Sequence, residues 1–158
     1  MTKKITIISG ASRGIGRAVS LRLAHEGHFV VVMARNAEEI GELEHEIDEA
    51  GGKALAIVCD ISNEQQVNDA IAEVMRDFKR IDCLVNNAGV GIFKPAEEIT
   101  AEDWDRVMDV NVKGSFLLTR AVLPHMKAVG SGHIVAIASD VSKRTFATGS
   151  LYTASKYA

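Results

Sequence analysis

The segment from residue 4 to residue 16, KITIISGASRGIG, constrains this chain more than any other. Residues 5–8 are a short apolar run rich in β-branched side chains, and three glycines follow at Gly10, Gly14 and Gly16. Beyond them, Ala18, Val19, Leu21 and Leu23 are interleaved with Arg17, Ser20 and Arg22. The pattern predicts a strand, a tight glycine turn and a helix. Glycine lets a backbone turn sharply and approach a ligand closely. The start of a helix presents unpaired N–H groups and a partial positive charge, which together suit a phosphate anion. An ordinary strand-to-helix turn has the same outline, and glycine-rich motifs also match by accident. The spacing is Gly-x-x-x-Gly-x-Gly. It is not the Gly-x-Gly-x-x-Gly dinucleotide fingerprint, and no Lys-Ser or Lys-Thr follows a glycine here as in a P-loop.

Strands and helices alternate along the rest of the chain. Gly27 ends the first helix, and Phe29–Ala34, FVVVMA, is a continuous apolar run typical of parallel sheets covered on both faces. A helix over about residues 37–50 carries Ile40, Leu43, Ile47 and Ala50 at helical spacing, with Asn36 and Glu39 as its cap. Gly51-Gly52 stops it, and residues 54–59 form a third strand ending at Asp60. Ser62 and Gln65 fit a capping box for a helix with Val67, Ile71, Val74 and Phe78 on one face. Residues 81–85 form a fourth strand running into Asn86-Asn87-Ala88-Gly89. Thr100 and Asp103 cap a long helix to about His125, whose inward stripe is Trp104, Val107, Asn111, Ser115, Leu118 and Val122. Pro124 sits near its end, where one lost hydrogen bond costs least. Residues 134–138, IVAIA, are a fifth strand, and a loop over 139–150 leads to a last helix starting at Tyr152. This order predicts an α/β protein with a doubly wound parallel β-sheet, helices on both faces and right-handed crossovers, in one domain spanning residues 1–158.

With 158 residues the chain can bury one sizeable core. Its net charge of -3 leaves no basic footprint for nucleic acid. An apolar run such as Phe29–Ala34 is far too short to cross a bilayer, and residues 5–8 are too short for a signal peptide. Cys59 and Cys83 make neither a CxxC pair nor a disulfide framework, so they read as buried thiols in a reducing cytoplasm. The five histidines show no metal spacing with Cys, Asp or Glu, and they read as surface or loop residues.

On these residues the chain resembles the classical short-chain dehydrogenase/reductase family, in particular its NADP-dependent carbonyl reductases of the 3-oxoacyl-ACP reductase type. Residues 9–16, SGASRGIG, look like the family's cofactor segment, with Ser9 where the family usually has Thr. Asn86-Asn87-Ala88-Gly89 resembles its NNAG segment. Asn111-Val112-Lys113-Gly114, Ser139 after the IVAIA strand, and Tyr152-Thr153-Ala154-Ser155-Lys156 resemble its catalytic segments. Ala136 and Ala138 stand where family chains often have Asn and Ser. The resemblance covers essentially the whole chain and implies a Rossmann-like, three-layer α/β/α fold. It implies that Gly10, Ser12, Arg13, Gly14, Ile15 and Gly16 hold the cofactor's phosphates. Asp60 would meet the adenine amine, with the Ile61 backbone beside it. Asn87 and the Ala88-Gly89 backbone would approach the adenosine. Tyr152 would donate a proton and Ser139 would hydrogen-bond the substrate oxygen. Lys156 would hold the nicotinamide ribose, and Asn111 would hold a water that relays protons to it.

Each of these residues also has a plainer reading. Asn111 is a polar amide on an apolar helix face, and on pattern alone it is a structural residue satisfied by neighbouring backbone. Asp60 fits a helix cap, and Arg35 a solvated strand end. Tyr152 and Lys156 are four apart and share a helix face, which also describes a surface pair. An ammonium beside a phenol favours the phenolate, lowering a tyrosine pKa from about 10 towards working pH, as carbonyl reduction requires. The choice of NADP over NAD is read from the second strand: an acid at its end binds a ribose 2'-hydroxyl, whereas arginine accepts a 2'-phosphate. Ala34 occupies the acid position, Arg35 follows it, and Arg13 lies in the glycine loop. Forked arginine donors suit phosphate, so NADP is expected.

The expected activity is reversible hydride transfer between NADP(H) and a ketone, an aldehyde or a secondary alcohol. The loops over residues 90–98 and 141–150 are expected to flank the substrate, with Phe93, Val141 and Phe146 as an apolar lining. Family members continue beyond their YxxxK segment, whereas this chain stops at Tyr157-Ala158. The resemblance therefore implies a piece of a longer, homo-oligomeric protein, lacking the usual C-terminal strands and helices and leaving the fifth strand as an apolar edge. A non-catalytic nucleotide-binding module is the alternative. An extended-type epimerase would show Gly-x-x-Gly-x-x-Gly, which the chain lacks.

Overall fold

A computed structural model describes residues 3–158. Five strands form one parallel sheet: β1 (Ile5–Ser9), β2 (Phe29–Ala34), β3 (Lys53–Val58), β4 (Cys83–Asn86) and β5 (His133–Ala136). Their order is β3-β2-β1-β4-β5, so the direction of winding reverses between β1 and β4. The helices are α1 (Gly14–His25), α2 (Ala37–Glu49), α3 (Glu64–Phe78), α4 (Ala101–Met108), α5 (Ser115–Val129) and α6 (Ser150–Tyr157).

Strand alternation divides the core. Ile7, Val31 and Leu84 point to one face and pack with Val67, Ile71 and Val74 of α3 and Leu118 and Val122 of α5. Ile8, Val30, Val32 and Val85 point to the other, against Ala24 of α1 and Ile40, Leu43 and Ile47 of α2. Strands buried on both faces have no polar side to display, which is why β2 reads as an unbroken apolar run, while the hydroxyls of Thr6 and Ser9 in β1 are hydrogen-bonded. The doubly wound α/β architecture expected from the sequence is the one observed.

Local signals succeeded where the partner lay nearby. The Asn36 side chain accepts the Glu38 and Glu39 N–H groups, and Thr100 and Asp103 make a reciprocal capping box. The cap expected at Ser62 and Gln65 is corrected. Asn63 caps α3 by accepting the Gln66 N–H, while Ser62 bonds Asp60. The fourth strand starts two residues later than expected. Residue 82 is spent on the edge of β1, its N–H bonding the Ile5 carbonyl and its carboxylate the Ile5 N–H.

The long helix expected from residue 100 to about 125 is three pieces. A π-turn over Asp109–Gly114 separates α4 from α5, and α5 runs on past Pro124 to Val129. Trp104, on α4 before this turn, is 48% exposed and lies off the expected stripe. Val107, Asn111, Leu118 and Val122 stay buried.

Candidate active site

The reversal of strand order opens a cleft at the carboxyl ends of β1 and β4, where open α/β sheets bind ligands. Its volume is about 450 Å³. Gly10, Ser12, Arg13 and Ile15 line it from the glycine loop, Arg35 from the end of β2, and Asp60 and Ile61 from the end of β3. Asn87, Ala88 and Gly89 line it from the segment after β4. Of the residues expected to hold the cofactor, Gly14, Gly16, Tyr152 and Lys156 are not on its wall.

Gly10 has φ +65°, and a Cβ there would lie 2.7 Å from the Ala88 Cα. The glycine loop and the NNAG segment therefore touch backbone to backbone. Gly16 works beneath the surface: a Cβ on it would strike the Gly10 carbonyl oxygen at 2.3 Å and Asn87 Nδ2 at 2.5 Å. The α1 N-terminus faces this loop with no side-chain cap, in contrast to α2, α3 and α4. Its N–H groups are left for an anion.

Ser9 binds the two segments together. Its buried hydroxyl accepts the Asn87 and Ala88 N–H groups, each at 3.1 Å. Asn87 Nδ2 returns to the Ser9 and Gly10 carbonyls at 2.9 and 3.0 Å. Asp60 is not a helix cap: its Oδ1 accepts the Ser62 N–H and hydroxyl. Sequence reasoning did not place Glu39, Cys59, Val90 and Val110 on the cleft wall. Glu39 was legible as a first-turn residue of the helix after β2, but nothing local aims it at the cleft. Burial, then the charge of Asp60, push the Cys59 thiol up to about 11, so it stays protonated.

At the far end of the cleft, three chain segments converge on Gly89. A Cβ on Gly89 would lie 3.4 Å from Asn111 Oδ1 and 3.7 Å from Lys156 Nζ. Asn111 sits in the π-turn with its amide fully engaged. Oδ1 accepts the Val90 N–H at 2.8 Å, and Nδ2 donates to the Val90 carbonyl at 2.9 Å and Ser155 Oγ at 2.8 Å. The plainer reading of Asn111 as a satisfied buried amide thus describes its side chain. Lys156 Nζ donates to the Ile137 carbonyl at 3.0 Å and stands 5.9 Å from the Tyr152 ring centroid. Burial pushes the lysine's pKa below its ordinary value. Ser139 lies just beyond β5, where its hydroxyl accepts the Val141 N–H at 3.4 Å. Val141, expected with Phe93 and Phe146 as an apolar lining, is buried, whereas the two phenylalanines are about half exposed.

The family model described as short chain dehydrogenase matches residues 4–158, and the chain belongs to that family. It is 40% identical over 157 residues to a 3beta-hydroxysteroid dehydrogenase of Mediterraneibacter gnavus, covering 99% of this chain and 56% of the relative. It is 37% identical over 162 residues to a sepiapterin reductase of Chlorobaculum tepidum, covering 98% and 66%. Among solved structures, a metagenomic short-chain oxidoreductase in complex with NADP superposes with a TM-score of 0.94 at 41% identity, covering 98% of this chain and 70% of that one. The chain thus spans little more than half to two thirds of the curated relatives it matches. Among the described residues, no helix is long and apolar enough to cross a membrane.

Proposed function

We propose that the protein is an NADP(H)-dependent oxidoreductase that interconverts a ketone or aldehyde and the corresponding alcohol. The observation that carries this reading is the meeting of Lys156 and Asn111 at Gly89, with Tyr152 one helical turn from the lysine. The cleft fits a dinucleotide. Its uncapped helix start and close glycine approach suit a pyrophosphate, and Arg13 and Arg35 without an acid at Ala34 suit a 2'-phosphate. The metagenomic neighbour's complex with NADP supports the same choice.

When bound, the reduced nicotinamide supplies hydride for a carbonyl carbon. Tyr152 gives its phenolic proton to the carbonyl oxygen, and Ser139 hydrogen-bonds that oxygen as negative charge develops on it. Lys156, as the ammonium, stabilises the phenolate left behind and holds the nicotinamide ribose with Tyr152. Asn111 supports the proton relay to Lys156 and, through Ser155, fixes α6 against the π-turn. Ser12, Arg13, Ile15 and the backbones of Gly10, Gly14 and Gly16 enclose the phosphates. Asp60, Ile61, Asn87, Ala88 and Gly89 enclose the adenosine.

In this reading residues 1–158 form one dinucleotide-binding domain of a cytoplasmic homo-oligomer. The two unpaired thiols, Cys59 and Cys83, support the cytoplasm. Tyr152→Phe removes the proton and keeps the ring. NADPH-dependent turnover of a ketone is expected to fall by at least about 100-fold, with NADPH affinity within about twofold of the parent. Retained turnover would overturn the assignment of Tyr152.

A further inference from the structure

Next to Tyr152 lies an aromatic strip with no part in the steps above. Tyr152 packs edge-on against Phe93, with ring centroids 5.4 Å apart and planes at 66°. Phe93 in turn lies 5.8 Å from Phe146 at 33°. The two phenyl rings are 54% and 48% exposed. They come from the two loops that flank the reacting end of the site.

Both loops are held in place. The Lys94 N–H donates to the Thr148 carbonyl at 3.0 Å, joining one loop to the other. The Lys94 ammonium reaches Asp103 at 2.6 Å, and Thr145 Oγ1 lies 3.3 Å from Thr153 Oγ1 on α6. Each ring rests on a glycine: a Cβ at Gly91 would lie 2.8 Å from Phe93 Cζ, and one at Gly149 2.8 Å from Phe146 Cε1. A side chain at either glycine would strike its ring, so both positions need glycine for the rings to sit where they do.

Two fixed, half-exposed phenyl rings leave apolar faces in water, and covering them is favourable. Rings pair edge-to-face or offset with an advantage beyond buried area. A rigid ring also gives up less rotational freedom on binding than an alkyl chain of equal size. We propose that Phe93 and Phe146 seat an aromatic ring attached to the reacting carbonyl, so that aryl ketones and their 1-aryl alcohols are the preferred substrates. The inference rests on the reductase reading: hydride from NADPH joins the carbonyl carbon, the Tyr152 proton joins the oxygen, and NADP⁺ and the aryl alcohol leave.

The test compares acetophenone and 2-octanone, two methyl ketones with the same carbon count, at saturating NADPH. The kcat/KM ratio is expected to favour acetophenone by about tenfold, and to collapse towards unity in Phe146→Ala and Phe93→Leu. A ratio near unity in the parent protein, or one unmoved by both substitutions, would overturn the proposal. Calorimetric titration of the protein with 1-phenylethanol and 2-octanol, with and without NADP, reads the same subsite without turnover. Preferred binding of 1-phenylethanol that Phe146→Ala abolishes, with neither ketone reduced, would keep the subsite and sink the reductase reading. Equal binding and equal turnover of both pairs would do the reverse.

Discussion

The hydroxyl of Ser9 accepts two backbone N–H groups across the point where the strand order reverses. Removing it in Ser9→Ala strands both donors in a buried place, which costs about 1–3 kcal/mol. Urea unfolding is expected to show that loss with an unchanged slope, and Ser9→Thr to recover most of it. A Ser9→Ala variant as stable as the parent would contradict the bonding described. Ser9 was legible only as a hydroxyl standing in for threonine, because its partners lie 78 and 79 positions away. The glycine loop was legible because its demands are local: a turn and a close approach. The plainer reading of Asn111 anticipated backbone partners, and Val90 supplies them. Its bond to Ser155 depends on α6 packing on the π-turn, which no spacing encodes.

Among the elements, the caps of α2 and α4 were readable because donor and acceptor lie within three residues. The π-turn was not readable, because no local spacing in residues 109–114 marks it. A Cβ on Gly114 at its end would lie 2.6 Å from Ile61 Cδ1, so the backbone there meets a side chain from the segment after β3. The pairing of β1 with β4 begins at Asp82, whose carboxylate accepts the Ile5 N–H at 2.8 Å and the Arg80 Nε–H at 2.9 Å. Burial raises the Asp82 pKa, but the Arg80 hydrogen bond, the Ile5 N–H and the charges of Arg80 and Lys4 outweigh it, and the net shift is downward. A carboxylate with a depressed folded-state pKa contributes stability that is complete above its unfolded pKa of about 3.9 and is lost as pH falls through the folded value. Asp82→Asn is therefore expected to lose about 1–3 kcal/mol at pH 7, and the gap to the parent should close as pH falls through the lowered folded-state pKa. Unfolding curves at pH 7 and in acid check this, and a gap independent of pH would contradict it.

On the scale of the whole molecule, the alternation of strands and helices was enough to give the doubly wound parallel sheet. The strand order then brings residues 10, 60 and 87 to one edge, so that motifs scattered along the chain line a single cleft. β5 lies at one side of the described sheet, with Ile134 40% and Val135 44% exposed. On the proposed function the cleft takes NADP(H), with Arg13 and Arg35 selecting the 2'-phosphate. Side-by-side calorimetric titration with NADPH and NADH decides this, on the parent protein and on a variant carrying Ala34→Asp and Arg35→Ile. NADPH is expected to bind the parent at least about tenfold more tightly than NADH, and the double substitution to reverse that order. Equal affinities in the parent, or NADPH affinity that survives the substitutions intact, would contradict 2'-phosphate selection by Arg13 and Arg35.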